Sequence, residues 1–202
     1  MGKVKAVVLA AGFSRRMGKN KLLLPLLGKT VIENTVSNFL HAKVDGVTVV
    51  LGNQREQVRQ VLAPYAVDFV DNPYYMQGMS TTVQEGIKSL TADQDIDGVM
   101  ILPGDMPFVK PGTIDGILKA YRERGSPIVI PVFQEKKGHP VLFDRSLFSE
   151  LLHISGDAGA REVVKRDHSR VYFVEGNDPG IYIDIDSPEE YHFWKNQPLQ
   201  EK

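Results

Sequence analysis

Short apolar runs alternate with amphipathic stretches along most of this chain, and that alternation constrains the fold more than any other feature. Residues 4–10 (VKAVVLA), 46–52 (GVTVVLG), 67–72 (VDFVDN), 97–105 (DGVMILPGD) and 126–132 (SPIVIPV) read as strands. Between them, residues 30–42, 54–65, 80–90 and 113–125 repeat apolar side chains every three or four positions, the spacing of helices with one buried face. Strands and helices in strict succession imply right-handed crossovers. The expected fold is therefore α/β and Rossmann-like, a mostly parallel sheet with helices on both faces. Sheets of this kind bind ligands beyond the carboxyl ends of their strands. No internal repeat or linker interrupts the pattern, and 202 residues suffice for one domain spanning 1–202.

Composition removes several function classes. The chain has no cysteine and no HExxH pair, so thiolate and histidine zinc sites are excluded and any metal is expected on oxygen ligands. No apolar stretch approaches the roughly 20 residues that span a bilayer. The start, MGKVKA, lacks a signal-peptide core, and Ala6 stands where a myristoylation motif needs Ser or Thr. A cytoplasmic protein with no membrane partner is expected. The net charge of −1 offers no footprint for nucleic acid. Its distribution is uneven: residues 1–32 carry seven Lys or Arg and no acid, leaving 17 basic and 25 acidic residues in the rest. A local positive field on a near-neutral chain suits a small polyanion.

That field centres on residues 9–21, LAAGFSRRMGKNK, which follow the first strand. Gly12 lets the backbone turn and approach a ligand, and exposed amides in such a turn form an anion nest. The Walker spelling fails, because five residues separate Gly12 from Gly18 and Asn20 follows Lys19; GxGxxG is also absent. From spacing alone, a phosphate loop and an ordinary charged surface loop both remain open.

The whole string Leu9-Ala10-Ala11-Gly12-x-Ser14-x-Arg16-Met17-Gly18-x-x-Lys21 resembles the loop of nucleotidyltransferases acting on small phosphorylated acceptors. These include molybdenum cofactor nucleotidyltransferases, methylerythritol phosphate cytidylyltransferases and sugar-phosphate nucleotidylyltransferases. The resemblance implies that Leu9, Ala10, Ala11, Gly12, Ser14 and Gly18 wrap a nucleoside triphosphate. It also implies that Arg16 and Lys21 neutralise the triphosphate, with Lys21 on the α-phosphate.

A second motif, DGVMILPGDMPFV, ends a strand in Pro103-Gly104-Asp105 and delivers one carboxylate to the sheet edge. Mg²⁺ is commonly held by one or two carboxylates plus substrate phosphates. Asp105 equally suits a turn cap before Pro107. The GDMPFV string resembles the same family, which implies a metal role for Asp105 and a nucleotide contact for Gly104. In YIDIDSPEEY, Asp184 and Asp186 alternate along an expected strand and so share one face. Either Asp186 or Ser187 fits the N-cap of a helix beginning near Pro188. The resemblance implies a metal ligand in this segment, with Asp184 slightly preferred over Asp186.

QGMSTTVQEGI (77–87) reads as a glycine turn and a helix capped by Ser80 or Thr81, its N-terminus toward the ligand. The resemblance puts Gly78, Met79 and Ser80 beside the base and ribose. KKGHPVLF (136–143) and SGDAGAREVV (155–164) resemble acceptor-side segments of the molybdenum cofactor cytidylyltransferases in the MobA-like family. They imply molybdopterin cofactor as acceptor, contacted by His139, Gly156, Asp157 and Arg161. Ala11, where the guanine-using branch has glycine, resembles the cytidine-using branch and implies CTP. Mg²⁺ is the implied cofactor, and a recipient molybdoenzyme is an implied downstream partner. Other phosphorylated acceptors, or a nucleotide-binding cofactor chaperone, remain open. Trp194 fits either an interface anchor or packing of the last helix on the sheet.

Overall fold

The computed structural model describes residues 2–196. In chain order it contains β1 (Lys3–Ala10), β2 (Pro25–Leu26), β3 (Lys29–Thr30), α1 (Val31–Leu40), β4 (Val47–Leu51), α2 (Arg55–Leu62), β5 (Asp68–Asp71) and α3 (Met79–Thr91). There follow β6 (Ile96–Pro103), α4 (Pro111–Arg124), β7 (Ile128–Phe133), β8 (Lys136–Lys137), β9 (Val141–Asp144), α5 (Phe148–Leu152), α6 (Arg161–Arg166), β10 (Val171–Glu175) and α7 (Pro188–Lys195). The main sheet runs β10-β7-β9-β6-β1-β4-β5, with β8 added to β7. Every neighbour along β6-β1-β4-β5 is parallel, whereas β9 is antiparallel to both β6 and β7. The fold is α/β and Rossmann-like, as the alternation of apolar runs predicts.

Alternation along β1 divides the core. Val4, Ala6, Val8 and Ala10 face α1, α2 and α4, where Ile32, Phe39, Val58, Leu62 and Ile117 complete one apolar layer. Val7 faces the opposite side, where Val83 and Ile87 of α3, Leu151 of α5 and Val163 of α6 form the second. Strands buried on both faces read as continuous apolar runs, which explains why β1, β4 and β6 are so visible in the sequence. Thr30 and Glu33 form a reciprocal capping box that starts α1 immediately after the β2–β3 hairpin.

Chain direction places the cleft. β1 is followed outward to β4 on one side, while β6 lies on its other side, so the order reverses between β1 and β6. Such a reversal opens a crevice at the carboxyl ends. The loops after β1 and β6 enclose it. Among the described residues, no helix is long and apolar enough to cross a membrane.

Three expectations change. Residues 183–186, expected as a strand, pair with no strand; the Ile185 N–H donates to the Asp105 carbonyl at 3.0 Å, and the side chains of Ile185 and Asp186 make the segment's other ties to the body. Ser80 and Thr81 do not cap α3: its cap residue is Gly78, which has no side chain to accept the first N–H groups, and Thr81 Oγ1 instead donates back to Gly78 O at 2.9 Å. Trp194 packs on Phe108 beyond β6 (ring centroids 4.7 Å apart) rather than on the sheet.

Candidate active site

The first loop is anchored at its back and open at its front. Met17 sinks into a small cluster with Leu24, Leu26, Val31, Ile185 and Tyr191. Ser14 takes a left-handed conformation (φ 52°), and its Oγ accepts the Lys21 N–H at 3.1 Å, closing the loop on itself. Buried Asn20 accepts the Leu22 N–H at 3.1 Å and starts the short helical turn Lys21–Leu23. A Cβ on Gly12 would meet open space, so the backbone there faces the cleft unobstructed.

Gly104 fixes the opposite wall. Its N–H donates to Leu9 O at 2.9 Å, its carbonyl accepts from Thr35 Oγ1 at 2.9 Å, and a Cβ would press on Ile32 at 2.9 Å. A larger residue here would push on Ile32 and crowd Leu9 O at 3.0 Å where β6 approaches β1, and the next side chain, Asp105, lies in the cleft beside Lys21. Lys21 Nζ pairs with Asp105 Oδ2 and donates to Asp186 Oδ1 at 2.5 Å, and Arg16 donates to Asp186 Oδ2 at 2.8 Å. Asp105, Asp184 and Asp186 each offer an oxygen within 4.8 Å of the others.

Electrostatics follow from this crowding. Burial pulls the Lys21 ammonium down, but Asp105 and Asp186 outweigh it and the net shift is upward. Burial raises Asp186, yet Lys21 and Arg16 bring it below the ordinary carboxylate value. Asp184 has no such cation: burial and then the charges of Asp186 and Asp105 raise it. Asp105 Oδ1 is buried without a hydrogen-bond partner. Three converging carboxylates with one orphaned buried oxygen are a donor set suited to a hard divalent cation.

The cleft, about 1020 Å³, continues past these acids to a second half. His139 is held where the backbone of Gly138 presses on Ile181 and the His139 N–H donates to Ile181 O at 2.7 Å. Its Nδ1 is buried and unpartnered. Burial, then the positive charge of Arg161, lowers its pKa to about 4 despite a backbone hydrogen bond at Ile101, so it is neutral near pH 7. Asp157 and Arg161 line the same half.

Of the residues singled out in the sequence, Leu9, Ala11, Gly12, Ser14, Arg16, Lys21, Gly78, Met79, Gly104, Asp105, His139, Asp157, Arg161, Asp184 and Asp186 line this one cleft. Ala10, Gly18, Ser80 and Gly156 do not. Ala10 points into the core beneath β1, and Gly18 turns the chain at φ 64°. Ser80 is 1% exposed, with its hydroxyl committed to Gly156 O at 2.6 Å. Residues missed in the sequence include Phe13, Tyr75 and Gly52. The Phe13 and Tyr75 rings lie 5.1 Å apart at the cleft wall, and a Cβ on Gly52 would strike Ala11 at 2.7 Å and Tyr75 at 2.8 Å. Aromatic residues in otherwise polar loops were the available signal.

This basic loop facing carboxylates across a switch-point crevice agrees with the family comparison. The profile of the MobA-like NTP transferase domain matches residues 6–171, and the chain belongs to that nucleotidyltransferase family. It is 29% identical to the purine catabolism protein PucB of Bacillus subtilis (92% of each chain) and 25% to the molybdenum cofactor cytidylyltransferase of Escherichia coli (95% of each). It is 30% identical to the nicotine blue oxidoreductase of Paenarthrobacter nicotinovorans, over 94% of this chain and 95% of that one. Among solved structures, a nucleotidyl transferase from Methanothermobacter thermautotroptrophicus superposes with a TM-score of 0.80 at 28% identity, over 96% of each chain. The manganese complex of Rv0371C from Mycobacterium tuberculosis superposes at 0.77 and 25% identity, over 97% of this chain and all of that one.

Proposed function

We propose that the protein transfers CMP from CTP to the terminal phosphate of molybdopterin cofactor and releases pyrophosphate. The observation that carries the reading is the placement of Lys21 and Arg16 against Asp105 and Asp186, with Asp184 converging on both acids, at the head of a cleft with a second half. Similarity to the E. coli cytidylyltransferase supports the acceptor, and Ala11 in the first loop supports the smaller base. One methyl group discriminates by only about 1–3 kcal/mol.

Asp105, with Asp184 and Asp186, is the group that would hold Mg²⁺, as the unpartnered Asp105 oxygen suits it. An ion held there would supply positive charge to the triphosphate oxygens as charge builds on the transferred phosphate. The amides around Gly12 receive the triphosphate, and Arg16 and Lys21 turn from Asp186 toward its oxygens. Arg161 holds the acceptor's anionic end with a planar fork of donors, while neutral His139 meets its polar edge. An acceptor phosphate oxygen, already ionised, attacks the α-phosphorus in line; the bond to the β-phosphate oxygen breaks and pyrophosphate takes its electrons. No covalent intermediate is needed, and the chain contributes positioning and charge.

The test is pyrophosphate release with Mg²⁺, purified molybdenum cofactor and either CTP or GTP, beside an Asp105→Asn control. Release selective for CTP and lost in the variant is the expected result. Release only with another phosphorylated acceptor keeps the chemistry and replaces the acceptor. CTP binding without release for any acceptor overturns the transfer reading in favour of a nucleotide-binding carrier.

A further inference from the structure

The two halves of the cleft are joined by a contact that none of the motifs reveals. Ser80 is 1% exposed at the start of α3, and both its donors converge on one carbonyl: N–H to Gly156 O at 3.1 Å and Oγ to the same oxygen at 2.6 Å. Beside it, the Met79 N–H donates to Asp157 Oδ1 at 3.4 Å. Gly78, at φ 112°, leaves no room for a Cβ, which would meet Asp157 Oδ1 at 2.7 Å and Gly156 O at 2.8 Å. A Cβ on Gly159 would meet Met79 Sδ at 2.9 Å. Residues 78–80 and 156–159 are therefore pressed together along both backbones.

The surroundings make this contact the holding point. Gln84 Nε2 donates to Leu152 O at 3.0 Å and Ile154 O at 2.9 Å, which secures the chain where it leaves α5. From Ser155 to Ala158 every residue is exposed, and the following helix, α6, carries Arg161 at its first position. A short exposed loop has little packing of its own to define its place. Two bonds from a buried serine supply that definition.

We infer that Ser80 is a positioning residue for the acceptor half: it holds residues 156–161 so that Asp157 and Arg161 face the cleft. It works through the loop and touches neither substrate. Because Gly78 and Met79 line the nucleotide half, the same three-residue segment sets the distance between the two binding regions. The inference rests on the transfer reading only for the identity of the acceptor.

The experiment compares the wild-type protein with Ser80→Ala, which removes the 2.6 Å bond, keeps the backbone bond and adds no volume. With Mg²⁺ and CTP present, amide hydrogen exchange across residues 155–161 is expected to accelerate about tenfold, matching the loss of one good hydrogen bond. The KM for molybdenum cofactor is expected to rise about tenfold, with kcat and the Kd for CTP within about twofold of wild type. Asp157→Ala, on the exposed side of the same contact, moves the exchange in the same direction by less. Unchanged exchange and KM in Ser80→Ala would overturn the inference, as would a CTP Kd that rises as much as the acceptor KM. If the wild-type protein does not turn over molybdenum cofactor, the acceptor assignment fails, while the exchange result still decides the role of Ser80.

Discussion

At the scale of single residues, Lys21 sets the balance of the site. Its ammonium lies against Asp105 and Asp186 and offsets charges that otherwise face each other and Asp184. Lys21→Ala is expected to lower metal-free stability by roughly 2 kcal/mol, less than for a fully buried pair because all three groups keep some water contact. Excess Mg²⁺ is expected to restore much of that loss while turnover stays down by about 10²–10³. Denaturation curves with and without Mg²⁺ check this; equal losses in both count against the electrostatic account. His139 makes a pH prediction. Its native pKa, about 4, lies below the ordinary value of 6.5, so the unfolded chain binds the proton first as pH falls. Its contribution is complete above pH 6.5 and lost progressively toward pH 4, on the order of 3 kcal/mol across the window. His139→Gln should flatten the acid limb of a plot of unfolding free energy against pH, and an unchanged slope would sink the assignment. The convergence of Asp184 and Asp186 was legible from their two-residue spacing. Which of them meets a cation was not, because Arg16 and Lys21 reach Asp186 from 165 or more positions away.

At the scale of elements, α7 fixes the backbone that presents those acids. Ser187 Oγ accepts the Glu190 N–H, while Glu190 Oε2 receives the N–H groups of Asp186 at 2.8 Å and Ser187 at 2.9 Å. Ser187→Ala is expected to cost about 1 kcal/mol of stability and to weaken Mg²⁺ affinity severalfold, since the loosened cap also frees Asp186. Titration calorimetry beside thermal unfolding separates the two effects. Weaker stability with intact affinity would show that the cap and the acid are independent. Five strands and four helices were readable because a fully buried parallel strand leaves an unbroken apolar run and a one-sided helix leaves a periodic one, and a fifth helix, α7, was readable from its Ser187-Pro188 start. β9 and β10 were not. β9 offers only VLFD, and its antiparallel direction is decided by the neighbours it enters between, which no local pattern records. The alternation in YIDID imitates a strand, but the segment has no partner strand, and one of its two isoleucines, Ile185, is used instead to bury against Met17 and Tyr191.

At the scale of the whole molecule, the first loop and the last helix are one structural unit. Met17, Leu24, Leu26 and Val31 pack with Ile185 and Tyr191, and the Tyr191 hydroxyl donates to Pro25 O at 2.8 Å. Tyr191→Ala empties the centre of this cluster and is expected to cost about 3 kcal/mol, lowering Tm by about 6–12 °C. It should also weaken CTP binding measured well below the transition, since Met17 loses its seat. CTP affinity that survives the loss of Tm would argue that the loop is anchored by Ser14 and Asn20 alone. The uneven charge of the first 32 residues was visible in the sequence, but its acidic counterweights, Asp105 and the more distant Asp186, lie 84 and 165 positions beyond Lys21 and meet it only through the fold. That distance carries a consequence for how the protein is made. A ribosome that has made the basic loop must add more than 160 further residues before Asp184 and Asp186 follow, so a product truncated ahead of them carries the basic loop without the acids that complete its site. Such fragments are expected to be catalytically silent, and turnover of nucleotide reports on translation carried past residue 186.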